Sequence, residues 1–303
     1  MNAIETDNLT KVFGAKTAVD HLNLRVPKGS IFGFLGPNGA GKTTTIRLLM
    51  GLALPTSGTA SVLNEPLLGK KYLKKVGFLP DVPNYYNWMR AEEFLIFCGE
   101  LFGAEQRELR PWVKELLEIT GLKGVKTKIG GYSRGMKQRL GIAQALINHP
   151  ELVIMDEPTS ALDPIGRKEV LETIERLGEM TTILFSTHIL GDVERICDMV
   201  AILDRGRLVR EGTIDELRAE YAQKAIAITV YGETVGLTAL IRQMPWAGPV
   251  NQDEERITVQ TKDLAAAQQA LPGLIAANGN SLKEFRTLEP TLEDIFVRLV
   301  NHS

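Results

Sequence analysis

A chain of 303 residues with 44% hydrophobic side chains is long enough for about two domains with real cores. Its formal net charge of −2 argues against broad electrostatic binding to nucleic acid. Cys98 and Cys197 are too few and too far apart for a disulfide framework or a zinc site, which suits a reducing compartment.

At the N-terminus, Met1-Asn2-Ala3-Ile4-Glu5 lacks a basic stretch followed by an apolar one, so no secretory signal is expected. Further on, Ile31 to Leu35 predicts a short buried strand and Thr44 to Met50 a helix. Between them GPNGAGKT, Gly36 to Thr43, fits the pattern G-x-x-x-x-G-K-[ST] without a mismatch, in the strand-loop-helix setting that a phosphate-binding loop requires. Glycines let successive backbone N–H groups curl around an anion, and the helix that follows points its positive end at the same place. The candidate phosphate-binding set is therefore Gly36, Pro37, Asn38, Gly39, Ala40, Gly41, Lys42, Thr43 and Thr44. Lys42 brings a mobile charge to the outer phosphates, and the Thr43 hydroxyl suits Mg²⁺, a hard cation that prefers oxygen.

Gly77-Phe78-Leu79-Pro80 leads to Asp81, and the stretch from Pro83 to Met89 is loop-like and aromatic, with Tyr85, Tyr86 and Trp88. From Arg90 to Asn148 apolar residues recur at helical spacing, first in Phe94, Leu95, Cys98 and Leu101, then in Val113, Leu116 and Leu117. Leu152 to Met155 is an apolar strand ending in Asp156 and Glu157, the form of a Walker B segment. Asp156 would hold Mg²⁺ and Glu157 would face the attacking water. Thr181 to Phe185 predicts a further core strand, followed directly by Ser186-Thr187-His188. A histidine in that setting could donate a hydrogen bond to a terminal phosphate. His21, His149 and His302 have no comparable surroundings.

Thr213-Ile214-Asp215-Glu216 forms a capping box that opens a short helix closing the first domain near Ala222. Beyond it, strands are expected at Ala225–Tyr231, Pro249–Gln252, Arg256–Thr261 and Leu282–Leu288, with helices at Leu237–Gln243 and Leu264–Leu271. The order βαββαβ is that of a small ferredoxin-like unit. The longest uncharged run, Leu264 to Leu282, is interrupted by Gln268, Gln269, Pro272, Gly273, Asn278 and Asn280 and is no membrane helix. Any membrane role falls to a partner chain.

The order of these motifs resembles the nucleotide-binding subunit of ABC transporters over about the first 220 residues. Tyr132-Ser133-Arg134-Gly135-Met136-Lys137-Gln138-Arg139 is similar to the signature motif, in the form found in one branch of the family. Ser160-Ala161-Leu162-Asp163 resembles the D-loop, Ser186-Thr187-His188 the H-switch, and the tail Glu289-Pro290-Thr291-Leu292-Glu293-Asp294-Ile295-Phe296 the ending of ATPases in the ABC-2 exporter branch. Two departures from the common pattern occur, one in the Q-loop and one in the signature. Asp81 stands where the Q-loop glutamine is usual, so a carboxylate replaces an amide near the metal, and Arg134 and Met136 replace commoner residues of the signature. Arg134 either reaches a phosphate or points to solvent. Phe13 lies where the family stacks an aromatic ring on adenine, and its other reading is an ordinary core side chain. Tyr85, Tyr86 and Trp88 lie where the family receives the coupling helix of the membrane subunit, or else they pack under the helical insert.

The resemblance implies an α/β fold: a P-loop ABC ATPase domain over residues 1–222, with a helical subdomain at about 90–148, followed by a small α+β ferredoxin-like domain over 223–303. It implies ATP and Mg²⁺ as ligands. Glu157, His188 and Lys42 are the catalytic candidates, and Thr43, Asp81 and Asp156 the metal candidates. Phe13 and the phosphate-binding set hold the nucleotide together with Ser133 and Gly135 of a second copy. The expected assembly is a homodimer with two composite sites on an integral membrane permease subunit, peripheral on the cytoplasmic face of the cell membrane, with no nucleic acid. The expected function is an ATP-hydrolysing exporter subunit. One rival is a soluble ABC-type ATPase acting on nucleic acid or ribosomes, but such proteins usually carry paired cassettes or a long coiled coil. The other is a non-catalytic nucleotide sensor, disfavoured by the presence together of Lys42, Asp156, Glu157 and His188.

Overall fold

The computed structural model describes residues 1–221, 224–288 and 291–301. The expected boundary residue Ala222, Glu289-Pro290 in the tail motif, and His302 lie outside the described residues. By contacts the chain divides into residues 1–214, with the end of the chain from Leu299, and a second unit, Asp215–Arg298.

In chain order the first unit contains β1 (Asn2–Phe13), β2 (Lys16–Leu22), β3 (Arg25–Pro27), β4 (Ile31–Leu35), α1 (Lys42–Leu49), β5 (Ser57–Val62), β6 (Glu65–Pro66) and β7 (Val76–Leu79). There follow α2 (Ala91–Leu101), α3 (Gln106–Ile119), α4 (Arg134–Ala145), β8 (Leu152–Asp156), α5 (Pro164–Gly178), β9 (Thr182–Thr187), α6 (Leu190–Ile196), β10 (Met199–Asp204) and β11 (Arg207–Thr213). Among the described residues β11-β10-β4-β9-β8-β7 form one sheet, parallel except for β11, and β2-β1-β5-β6 form an antiparallel sheet to which β3 adds through β1.

Every residue of β4 and β8 is buried, as is usual where a parallel sheet is covered on both faces. Side chains alternate across a strand, so Leu152 and Ile154 enter one core and Val153 and Met155 the other. The first core joins the sheet to α1 and to Leu9, Val19 and Leu22 of the antiparallel hairpin. The second joins it to the helical insert through Phe94, Leu95, Val113 and Leu116. The apolar positions that recur at helical spacing along α2 and α3 thus face inward, while Leu101 and Phe102 remain exposed at the end of α2.

The aromatic stretch after Asp81 packs against the helical insert only in part. Tyr85 packs edge-on against Phe94 at 5.3 Å and its hydroxyl donates to the Lys137 carbonyl at 2.6 Å. Tyr86 and Trp88 stay exposed beside each other, with ring centroids 5.0 Å apart.

Helix α7 (Ile214–Tyr221) stands at the division, and the second unit continues as β12 (Ala225–Tyr231), α8 (Thr234–Arg242), β13 (Ala247–Asp253), β14 (Arg256–Thr261), α9 (Leu264–Ala277), β15 (Ser281–Leu288) and α10 (Leu292–Asn301). The sheet order β13-β14-β12-β15, with every neighbouring pair antiparallel, interleaves two β-α-β units in the ferredoxin-like manner. Its core joins Ile226, Ile228 and Val259 of the sheet to Leu237 and Ile241 of α8. Helix α9 runs through Pro272, past the expected stop at Leu271. Ala267, Leu271 and Ile275 share one buried face, and the burial of Ile275 offsets the backbone bond that proline removes. At the start of α10, Thr291 and Asp294 cap each other: the Asp294 N–H donates to the Thr291 hydroxyl at 3.1 Å and the Thr291 N–H to the Asp294 carboxylate at 3.0 Å. No helix of the described residues is long and apolar enough to cross a membrane.

Gly77 sits where β7 meets α4, and a Cβ built there would lie 2.0 Å from the Ala145 carbonyl oxygen. Backbone cannot yield as a side-chain tip can, so Gly77→Ala is expected to destabilise the protein by about 1–3 kcal/mol or more. Chemical denaturation should show a lower midpoint at unchanged slope; an unaltered midpoint would mean that α4 is not tightly seated on β7.

Candidate functional site

The segment between β4 and α1 turns sharply enough that two of its residues need a left-handed backbone: Gly39 at φ 85° and Gly41 at φ 103°. At Gly41 a side chain is also blocked by space, since a Cβ would lie 2.5 Å from the Ala18 carbonyl oxygen. Helix α1 carries no acidic residue in its first turn, so nothing in that turn competes with an anion for its N-terminal N–H groups. A cleft of about 360 Å³ opens here, lined by residues 38–44, Lys16, Ala18, Asp81, Glu157, Ser160 and His188. A larger concavity of about 810 Å³, on the antiparallel sheet, is lined by Glu5, Asp7, Arg25 and Glu211 among others, and its lining includes no helix N-terminus or glycine loop.

Lys42 is buried, and its ammonium donates to the Gly36 carbonyl at 2.7 Å while lying 3.2 Å from Glu157 Oε1. The other oxygen of Glu157 is 2.9 Å from His188 Nδ1. Glu157 therefore bridges Lys42 and His188. Its backbone is at φ 49°, a left-handed conformation that a side chain adopts only against strain. What holds it is Ser186, whose carbonyl and hydroxyl both accept from the Glu157 N–H, at 3.1 Å and 3.0 Å. The same Ser186 hydroxyl donates to Asp156 Oδ1 at 2.6 Å. One fully buried side chain thus orients both carboxylates.

Asp156 Oδ1 also accepts from the Thr43 hydroxyl at 3.3 Å. This donor set suits Mg²⁺: a hydroxyl and a carboxylate, all oxygen, too few to complete a shell without phosphate and water. No group of three or more His, Cys, Asp or Glu able to hold a metal occurs among the described residues. Asp81, on the cleft wall after β7, has its carboxyl raised above the ordinary range, first by burial and then by the charges of Asp156 and Glu157, with Arg134 opposing.

The remaining candidates lie outside this cleft lining. Phe13 is 53% exposed, which excludes the core reading, and the Lys11 ammonium sits 4.8 Å over its ring. Gly36 and Pro37 stand behind the lining, where their carbonyls hold Lys42. Ser133 and Gly135 begin α4, where the Ser133 hydroxyl accepts from the Met136 N–H at 3.2 Å as an N-cap. Arg134 is exposed. Sequence reasoning missed Lys16 and Ser186. Lys16 reaches the cleft because it pairs across the hairpin with Phe13, and Ser186 reaches Asp156 because those two residues pair between β9 and β8. Ser186 was visible as part of the H-switch triplet, whereas nothing local marks Lys16.

Residues 19–160 match the family described as ABC transporter, and residues 212–300 match the ATP-binding protein DrrA1-3-like C-terminal domain. The bacitracin transport ATP-binding protein BcrA of Bacillus licheniformis is 38% identical, over 98% of this chain and 97% of its own. The linearmycin resistance ATP-binding protein LnrL of Bacillus subtilis (strain 168) is 34% identical over 99% of both. An ATP-binding cassette solved as a dimer in a post-hydrolysis state with ADP and Pi superposes with a TM-score of 0.62 at 25% identity, covering 70% of this chain and 98% of that one.

A carboxyl raised by burial and by like charge binds its proton more tightly when folded than unfolded. Above the ordinary carboxylate range Asp81 therefore subtracts from stability, and below that range the penalty disappears. Asp81→Asn should raise the melting temperature at pH 7 in the presence of EDTA, and the gain should close as pH falls below about 4. A gain that persists or grows at low pH would show that the like-charge environment is not its origin.

Proposed function

Because this chain belongs to the ATP-binding proteins of ABC transporters, we propose that it hydrolyses ATP at this cleft to drive export through a separate integral membrane permease. The observation that carries the reading is Glu157, whose two oxygens meet Lys42 and His188 in a cleft walled by the glycine loop and the start of α1.

In the proposed mechanism the N–H groups of the 36–44 segment cradle the phosphates, and Lys42 swings from the Gly36 carbonyl onto the outer ones. Thr43 and Asp156, with Asp81 at the edge, would hold Mg²⁺, which when bound would supply positive charge for the phosphate oxygens. Ser186 fixes the Asp156 carboxylate and the backbone of Glu157. Glu157 then orients and polarises water in line with the terminal phosphate, and His188 donates to that phosphate from the other side. Phe13 offers an exposed aromatic face for the adenine.

Ser133 and Gly135 do not line the cleft of their own chain, which fits a role at the cleft of a second copy. Two chains related by a two-fold axis would then complete two sites, each from the glycine loop of one and the start of α4 of the other. That a cassette of this fold was solved as a dimer with ADP and Pi supports a dimer of this chain. Exposed Tyr86 and Trp88, next to Asp81 in the chain, are suited to receive the permease and to pass it the motion of closing and opening. The chain would act from the cytoplasmic face of the membrane. The names of BcrA and LnrL, given for bacitracin transport and linearmycin resistance, favour export of a compound of that kind, its identity set by the permease.

Glu157→Gln is expected to bind ATP normally and to lose hydrolysis by about 10²- to 10⁴-fold. The ATP-bound dimer should then accumulate on size-exclusion chromatography with Mg-ATP. Hydrolysis at the native rate, or a protein that stays monomeric at high ATP, counts against the mechanism. Lys42→Ala should weaken ATP binding and abolish turnover while leaving the circular dichroism spectrum unchanged, and an unchanged ATPase rate would move the site elsewhere.

A further inference from the structure

Ser186 of β9 ties the Glu157 backbone to the sheet, but beyond the pair Asp156 and Ser186 the register between β8 and β9 ends, and the residues after Glu157 and after His188 leave the sheet on separate segments. Glu157 Oε2 and His188 Nδ1 are nevertheless 2.9 Å apart. A second tie, behind the cleft, joins the two segments after they leave the sheet.

Asp192, in the first turn of α6, has no exposed surface. A carboxylate removed from water is tolerated only when its oxygens are paired and hydrogen-bonded. Here Oδ1 accepts from Arg167 Nε at 2.6 Å and Oδ2 accepts from the Thr159 hydroxyl at 2.5 Å. Thr159 is itself buried, and none of the three lines the cleft. Each comes from a different segment: Thr159 from the turn that leaves Glu157, Arg167 from the N-terminal half of α5, and Asp192 from the helix that follows His188. The segment after His188 is tied in further, since the Ile189 N–H donates to the Thr187 hydroxyl at 3.0 Å and the Asp192 N–H to the Ile189 carbonyl at 3.1 Å.

We propose that Asp192 is a positioning residue, clamping the turn after Glu157 to the helix after His188 through Thr159, with Arg167 as its counter-charge, so that the Glu157–His188 pair is held in reacting geometry from behind the cleft. The proposal rests on the roles given above to Glu157 and His188. The clamp touches neither nucleotide nor metal. Its loss should therefore appear in the chemical step and leave ATP binding in place.

The decisive pair of variants is at Thr159, in the full chain. Thr159→Val keeps the shape and removes the donor, whereas Thr159→Ser keeps the donor and removes a methyl group. Expected for Thr159→Val is a kcat lowered about 10- to 100-fold with the Kd for a fluorescent N-methylanthraniloyl ATP within about twofold of native, while Thr159→Ser stays within about threefold in both. Asp192→Asn should show the same split where it folds. A native kcat in Thr159→Val overturns the clamp, as does a parallel loss of analogue binding, or a Thr159→Ser as impaired as Thr159→Val. Glu157→Gln assayed alongside separates the two readings. Slow hydrolysis there beside a native Thr159→Val removes the clamp alone, and a native rate in Glu157→Gln removes the reading on which the clamp rests.

Discussion

The pairing of Asp156 with Ser186, the last register pair of two buried parallel strands, is the constraint from which the site follows. Shifting β9 by one residue would turn Ser186 to the opposite face of the sheet and put a different side chain beneath Asp156. The Ser186 hydroxyl would then neither donate to Asp156 nor accept from the Glu157 N–H. The register is held in turn by the two cores, because Ile154 and Leu184 must enter one and Met155 and Phe185 the other. Chemistry at the strand ends is thereby fixed by apolar packing several residues upstream, as befits a ligand site at the carboxyl end of an open parallel sheet.

Much of this was legible because the informative residues are contiguous. The loop from Gly36 to Thr43 announces itself through glycine spacing, and the strands at Ile31 and Leu152 through unbroken apolar runs. In the second unit the strands Ala225–Tyr231 and Arg256–Thr261 have the expected bounds, because a nearly unbroken apolar run in the first and alternation in the second leave little freedom. The expected order βαββαβ could be read without knowing which strands pair.

What could not be read depends on pairing between distant segments. Lys16 joins the cleft only through its register with Phe13, and Asp192 meets Thr159 across 33 residues of chain. The stop placed at Leu271 failed for a related reason. A proline followed by glycine marks a helix end only when nothing beyond it is wanted by the core, and Ile275 is. Phe13 was undecided from sequence because a strand-end aromatic looks the same buried or bare; its surroundings on an exposed hairpin end decide it.

Glu157 carries one more implication through its left-handed backbone. Glycine adopts that conformation freely, whereas any other side chain there costs on the order of 1–3 kcal/mol. Selection for thermal robustness alone would drift toward glycine at this position and silence the carboxylate. The residue whose carboxylate bridges Lys42 and His188 is held against the protein's own conformational preference, so tolerance of it must be drawn from stability elsewhere in the fold. Stabilised descendants that lose activity would be expected to lose it at this position first.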